Sequence, residues 1–545
     1  MKKRLLILLS AGLITLTAAK QADDYFEVSK NLDIFSTVYK EVHTSYVDDV
    51  KPGFLVRKAI DAMLKSLDPY TNFYSEAQAE DYRFQVTGSY GGIGAIVKSH
   101  GDDLVVERPY VGYPAQKAGI RAGDIIIKVD GKSVVGKTSS QLSEVLKGTA
   151  GTTVVMEVER PGVGTKEFSF ERAQVKVKNV PYFGMVNDRI GYLKLTGFTP
   201  DAGLEVYNAV KDLKSQGATS IIFDLRGNGG GLLHEAVNIV NVFVKKGQLV
   251  VNTRGKDKEN DRAYKTLNAP LDTDIPVAVL IDGGSASASE IVSGTIQDLD
   301  RGVVIGKQSF GKGLVQSTRM LTYNTQMKIT TAKYYIPSGR CIQRLDYAHK
   351  VNGSAISVAD SLKQVFYTNN KRPVTDGEGV NPDIKVGLPE LSNISKSLVK
   401  NHLIFDFATK YRNEHDTIAE PKNFHISDAD FTAFKEFISG KEYGYETETE
   451  LAISTLEKQA KEEHYHTALQ GQIASLRSAF EQNKTDDINK HKKEIVELRE
   501  TEIASRYFYD RALVEATFDE DPDVREALSL LANPTRYKNI LKGNQ

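Results

Sequence analysis

The sequence predicts a multidomain α/β protein: a helical N-terminal segment, a small β-rich module, an α/β core and a helical C-terminal extension. Three observations carry that expectation. Between residues 176 and 386, apolar strand-like runs (Ser220–Leu225, Val277–Ile281) alternate with amphipathic helical stretches such as Asp201–Gln216, the order that builds a sheet flanked by helices. Between 86 and 172, short β-branched runs are separated by glycine-rich turns. From 390 to 545, Lys, Glu, Asp and Gln dominate, and apolar residues fall at helical spacing (Leu451, Ile453, Leu456; Leu469, Ile473, Leu476; Ile495, Leu498, Ile503).

The totals bound the function classes. A chain of 545 residues has room for about three or four domains. A formal net charge of -1 argues against nucleic acid as a partner. The single cysteine, Cys341, excludes an internal disulfide framework and a cysteine-based metal site. The ten histidines show no zinc-type spacing, so neither metal nor cofactor is expected.

Residues 1–19 carry the location. Met1–Arg4 is basic, Leu5–Leu16 is apolar, and Thr17-Ala18-Ala19 ends in small residues, the three-part layout of a secretory signal peptide. Cleavage after Ala19 or Ala22 would leave an exported protein of the periplasm or cell envelope. An uncleaved leader, the alternative, would add a membrane association. Residues 23–85 read as helical: Leu32, Phe35, Val38, Tyr39 and Val42 share one face, and Phe54–Leu67 repeats the pattern until Asp68-Pro69-Tyr70 breaks it.

The chemistry concentrates in Ser285–Gln316, where S-A-S-A-S-E precedes an apolar helical run and Gly311 and Gly313 bracket Lys312. Serine at a helix start can be a cap alone, since its hydroxyl satisfies free N–H groups there. Gly306–Gly313 also approaches a phosphate loop, but Gly313 stands where a metal-binding hydroxyl belongs, and a strand rather than a helix follows. The sharper reading is a serine nucleophile with a lysine base. Lysine titrates near ~10.4, so it serves as a base only when desolvated, and the glycines with Phe310 and Leu314 could exclude water from it. His234 is the competing base, on the helix after the glycine-rich loop Gly227–Gly231, although a first-turn histidine is more often a surface residue. That loop lacks G-x-G-x-x-G spacing, which argues against a dinucleotide. Glu290 either caps the helix or tunes the site.

With these residues in view, S-A-S-A-S-E followed by G-K-Q-S-F-G-K-G-L-V-Q resembles the C-terminal (tail-specific) processing peptidases, serine proteases of the S41 type. The resemblance implies Ser287 as nucleophile, Lys312 as base 25 positions later, and Gln316 orienting the amine. D-L-R-G-N-G-G-G at Asp224–Gly231 resembles the family's oxyanion loop. Many relatives carry Pro where Gly229 stands, so the Gly230 amide is the expected donor, partnered by that of Ala288. Asp224 and Arg226 are expected to pair and brace the loop. G-V-N-P-D at Gly379–Asp383 resembles the family's closing motif, and L-D-P-Y-T at Leu67–Thr71 its N-terminal helical segment.

Pro114–Ile126, containing A-G-I-R-A-G-D-I-I, resembles a PDZ domain, a β-sandwich-like module. Gly92, Ile93, Gly94 and Ala95 would then form its carboxylate loop, with the bound peptide adding as a strand. The resulting organisation is signal peptide 1–19, helical segment 23–85, PDZ domain 86–172, peptidase core 176–386 and charged helical domain 390–545. The expected activity is an exported endopeptidase for unfolded or tagged proteins with apolar C-terminal tails, acting through an acyl-enzyme. A noncatalytic PDZ adaptor is the alternative, and the C-terminal helices are the expected route to a homo-oligomer.

Overall fold

The structure is a computed structural model that describes residues 25–387 and 390–544; the leader expected at 1–19 lies outside the described residues. The chain forms two units, one running to Ser75 together with Thr318–Ile329, the other holding the rest. In the first, a helix over 25–45 precedes Pro52–Lys65, whose leading proline gives up an N–H that no helix start could use. Asp68 makes the predicted turn, its Oδ1 accepting the amides of Tyr70 and Thr71 at 2.8 Å each. Strand Asn72–Tyr74 then pairs antiparallel with Gln326–Lys328. Among the described residues no helix is long and apolar enough to cross a membrane.

In the second unit, the β-rich module is entered and left side by side. Ser89–Gly92 pairs antiparallel with Ala173–Lys176, and the Val177 amide reaches Gly88 O at 2.9 Å. Between those strands lies an antiparallel sheet in the order Ala95–His100, Asp103–Pro109, Ile125–Val129, Thr153–Arg160, Gly164–Glu171. Its core gathers Val106, Ile126, Leu142, Val154 and Met156, and Ala95–His100 stands at the sheet edge with helix Ser139–Leu146 against it. The A-G-I-R-A-G-D signature is structural. Gly119 ends helix Pro114–Ala118 at φ 93°, a left-handed conformation that glycine adopts without cost. Asp124, fully buried, takes the Arg121 amide at 2.8 Å and the Arg160 fork at 2.7 and 2.8 Å.

The core sheet runs Tyr182–Met185, Ile190–Lys194, Ser220–Asp224, Val277–Ile281, Val303–Gly306, Ile384–Lys385, with only the first pair antiparallel. Helices Ala202–Ser215, Leu233–Phe243 and Ala288–Asp298 cover one face. The other face is covered by Pro522–Leu531 and Pro534–Leu541, through Val524, Ala527, Leu530, Tyr537 and Ile540. Two covered faces explain why Ser220–Asp224 and Val277–Ile281 are buried at every position. Between Asn393 and Phe508 the chain is helical, around Leu398, Phe407, Phe434, Ile495 and Ile503, and Arg499 lies buried over the rings of Phe407 and Phe434.

Candidate active site

Three parallel strands deliver three loops to one end of the sheet, where ligands of open α/β sheets usually bind. Ser220–Asp224 leads into the glycine loop, Val277–Ile281 into the serine turn, and Val303–Gly306 into the lysine loop. Asp282 stitches the first two together. Its Oδ1 accepts the amides of Gly227 (2.9 Å), Gly284 (2.9 Å) and Ser285 (3.0 Å).

Burial separates the three serines. Ser285 Oγ donates to Leu225 O at 2.9 Å and Ser289 Oγ to Asn228 O at 2.8 Å, both fully buried. Only Ser287 is half-buried, at the head of helix Ala288–Asp298. Its backbone sits at φ 57°, ψ -111°, outside the usual range of a non-glycine residue, so its surroundings must hold it there.

Glu290 does much of that holding. Its fully buried carboxylate accepts four donors: Ser309 Oγ and the Gly311 amide on Oε1, and the amides of Ser287 (2.8 Å) and Lys312 (2.9 Å) on Oε2. Burial pushes its pKa up, against the pull of those donors. Glu290 therefore caps the helix and also fastens the lysine loop to the serine turn. Tyr334, buried on strand Gln326–Tyr335, makes the matching link between carbonyls, its hydroxyl lying 3.0 Å from Ser287 O and 2.7 Å from Lys312 O. Ser287 and Lys312 thus share one carboxylate oxygen through their amides and one phenol through their carbonyls. Sequence reading missed Tyr334 and Asp282, since neither lies in a motif that was read for chemistry.

The remaining predicted residues are placed as follows. The Gly230 amide donates to Asn228 Oδ1 at 2.9 Å, so it is not offered to a substrate oxygen in this arrangement. Gly230 is nevertheless indispensable as a glycine. At φ 94°, a Cβ there would stand 2.6 Å from Ala286 O and 2.8 Å from Ala288 N. The Ala288 amide, first in its helix, donates to no group among the described residues. Gln316 lies on strand Leu314–Met320, and its Nε2 donates to Thr330 Oγ1 at 3.2 Å. Leu314 is buried beside the half-buried Lys312, but Phe310 is 37% exposed under the Arg344 guanidinium and is a poor shield. His234 is exposed beside Glu235, which leaves it unsuited to be the base.

Asp224 and Arg226 pair as expected, Nε to Oδ1 at 3.0 Å and Nη2 to Oδ2 at 2.8 Å. Burial would raise the Asp224 pKa, but the guanidinium overrides it and holds the carboxyl below its usual range. In the β-rich module, Gly92 belongs to the paired strand, and the turn itself is Ile93–Gly94 with Ala95 opening the edge strand. Ile93 O accepts the Ala115 amide at 2.9 Å and Gly94 O that of Tyr110 at 2.8 Å, which pins the turn at the end of that edge.

Residues 189–352 match the family model "Peptidase family S41", 105–160 match "PDZ domain", and 394–531 match "Probable PDZ-protease, C-terminal helical domain". The chain is 38% identical over 342 residues to a "Carboxy-terminal-processing protease" of Bartonella bacilliformis, covering 62% of this chain and 78% of that one. It is 33% identical over 391 residues to a "Probable CtpA-like serine protease" of Staphylococcus haemolyticus, covering 69% and 76%. Among solved structures it matches a photosystem II D1 C-terminal processing protease at 27% identity and a TM-score of 0.36, over 65% of this chain and 88% of that one.

Proposed function

Since this chain belongs to peptidase family S41 and is a serine-type carboxy-terminal-processing peptidase, we propose that it works through a Ser287–Lys312 dyad on protein substrates whose apolar C-terminal tails dock in the PDZ groove. The observation that supports the dyad most is the double link between the two residues, through Glu290 Oε2 and the Tyr334 hydroxyl. In this reading the tail's carboxylate meets the Ile93–Gly94 turn, flanked by Gly92 and Ala95, and the tail adds as a strand beside Ala95–His100. Neutral Lys312 takes the Ser287 hydroxyl proton, and the oxygen attacks a peptide carbonyl. The Ala288 amide donates to the oxyanion, protonated Lys312 passes its proton to the leaving amine, and water then releases the acyl group.

The test is cleavage of an unfolded reporter with an apolar tail by wild type, Ser287→Ala and Lys312→Ala, with the same reporter amidated at its C-terminus. Loss of turnover in both folded variants, and slower cleavage of the amidated reporter, are the expected results. Near wild-type turnover by Lys312→Ala would sink the dyad. Export to the periplasm or cell envelope by the 1–19 leader, and pairing of copies through the C-terminal helices, belong to the same proposal. Cell fractionation and sedimentation test them; a cytoplasmic uncleaved chain refutes export, and a monomer at micromolar concentration refutes pairing.

A further inference from the structure

The helical C-terminal domain has so far no part in catalysis, yet it reaches the glycine loop. Arg226 spends Nε and Nη2 on Asp224, and its remaining Nη1 lies 2.8 Å from Asp521 Oδ2 and 2.9 Å from Asp523 Oδ2, some 295 residues further on. A guanidinium is a rigid planar fork, so carboxylates on two of its edges fix its orientation where one would leave it free to tilt. Asp521 is itself held, because it caps helix Pro522–Leu531 by accepting the amides of Asp523 (3.0 Å) and Val524 (3.2 Å). That helix is anchored on the sheet by Val524, Ala527 and Leu530. Asp523 is 1% exposed, and its Oδ1 has no hydrogen-bond partner. Burying a carboxylate with an orphaned oxygen costs stability, so the position is hard to explain by stability alone.

On the other side of Arg226 the loop is stitched to the serine turn. Gly227 N–H goes to Asp282, and Asn228 O accepts both the Ala286 amide (3.0 Å) and Ser289 Oγ (2.8 Å). Gly230 then packs against Ala286 O and Ala288 N. We propose that Asp521 and Asp523 are positioning residues for acyl transfer. Through Arg226 they hold the glycine loop against the turn that carries Ser287 and the Ala288 amide, which makes the C-terminal helix part of the catalytic machinery. The inference rests on the Ser287 reading above.

The decisive variant is Asp521→Asn with Asp523→Asn in the full mature chain. Asn caps a helix about as well as Asp, so the helix start survives while the two carboxylate charges on Arg226 Nη1 are lost and the Asp224 pair remains. We expect kcat to fall about 10–100-fold with KM little changed. Inhibition by a peptide boronic acid, which forms a tetrahedral serine adduct, should weaken by the same factor as kcat/KM. A purely structural role would lower the unfolding midpoint and leave the folded enzyme's kcat and boronate affinity intact. That result would overturn the proposal. If the double variant folds badly, Asp521→Asn alone, which retains the cap and Asp523, should still lose about threefold or more in kcat, and no loss there also overturns it. Ser287→Ala runs beside them. Turnover in that variant refutes the nucleophile reading, whereas an inactive Ser287→Ala with wild-type Asn variants refutes only the positioning role.

Discussion

Replacing Glu290 by Gln would test the joint between the serine turn and the lysine loop with a minimal change of shape. Gln retains one acceptor oxygen. Placed at Oε2, that oxygen keeps the amides of Ser287 and Lys312, and the new NH2 then faces Ser309 Oγ and the Gly311 amide. Ser309 can rotate and accept. Gly311 N–H cannot, and one buried unsatisfied amide costs about 1–3 kcal/mol. The two surviving bonds lose their charge assistance, worth about 1 kcal/mol each. Removing a buried charge returns part of this, since burial disfavours the ionised Glu290. The net expectation is a loss of about 2–4 kcal/mol in stability. The Gly311 mismatch also displaces the lysine loop, and a shift of about 1 Å at a reacting group costs about 10² in rate. Unfolding followed by circular dichroism gives the stability change, and kcat with the unfolded reporter, corrected for the folded fraction, gives the rate. A kcat equal to that of wild type in the folded variant would refute the reasoning that Glu290 aligns the two residues.

Two further expectations are sharper than they are large. Tyr334→Phe removes the hydroxyl shared by Ser287 O and Lys312 O, so it should cost about 1–2 kcal/mol of stability and lower kcat about tenfold with KM unchanged; an equal rise in KM would instead place Tyr334 in substrate binding. The second concerns acid. Glu107 accepts from His100 Nε2 at 3.4 Å and from Lys98 Nζ at 2.8 Å, and chiefly the His100 bond holds its carboxyl down at about 2, from an ordinary value of 4.5. A lowered carboxyl pKa stabilises the folded state above the ordinary value, and that contribution fades as pH falls toward the folded one. Urea midpoints of Glu107→Gln should therefore fall less steeply than those of wild type between pH 4.5 and 2; parallel slopes would contradict the pairing.

Much of the fold was legible because burial leaves a periodic trace. The apolar stretches Ile221–Phe223 and Val277–Ile281 announced buried strands, and Asp201–Gln216 announced a helix with one dry side. What covers the second face was not legible. Val524, Ala527 and Leu530 lie beyond the helix-spaced residues read from the sequence, and only the structure shows the surface they meet. The serine and lysine were legible from their motif, but the parts that align them were not. Tyr334 lies 47 residues beyond Ser287 and looks like any strand tyrosine until the sheet closes. Asp282 and Asn228 act by accepting or donating to loop backbone, and that role depends on loop conformation rather than on spacing. The bond from the Gly230 amide to Asn228, two residues earlier in the chain, was not legible for the same reason.

The paired strands Ser89–Gly92 and Ala173–Lys176 bring the recognition module's two chain ends together, with the Val177 amide on Gly88 O closing the ribbon. Such a module behaves as a cassette. Foreign peptide readers with adjacent termini could be spliced in at Gly88 and Val177 without rerouting the catalytic chain, and the choice of protein to be cut would then change independently of the cutting. The graft would need one further surface to travel with it. Arg108 meets Asp510 at 3.0 Å, and His100 stacks on His402 with ring centres 3.6 Å apart, so the helical domain grips the present cassette directly. An exchange that copied those contacts would inherit the grip; one that omitted them would leave the reader swinging on a two-stranded strap.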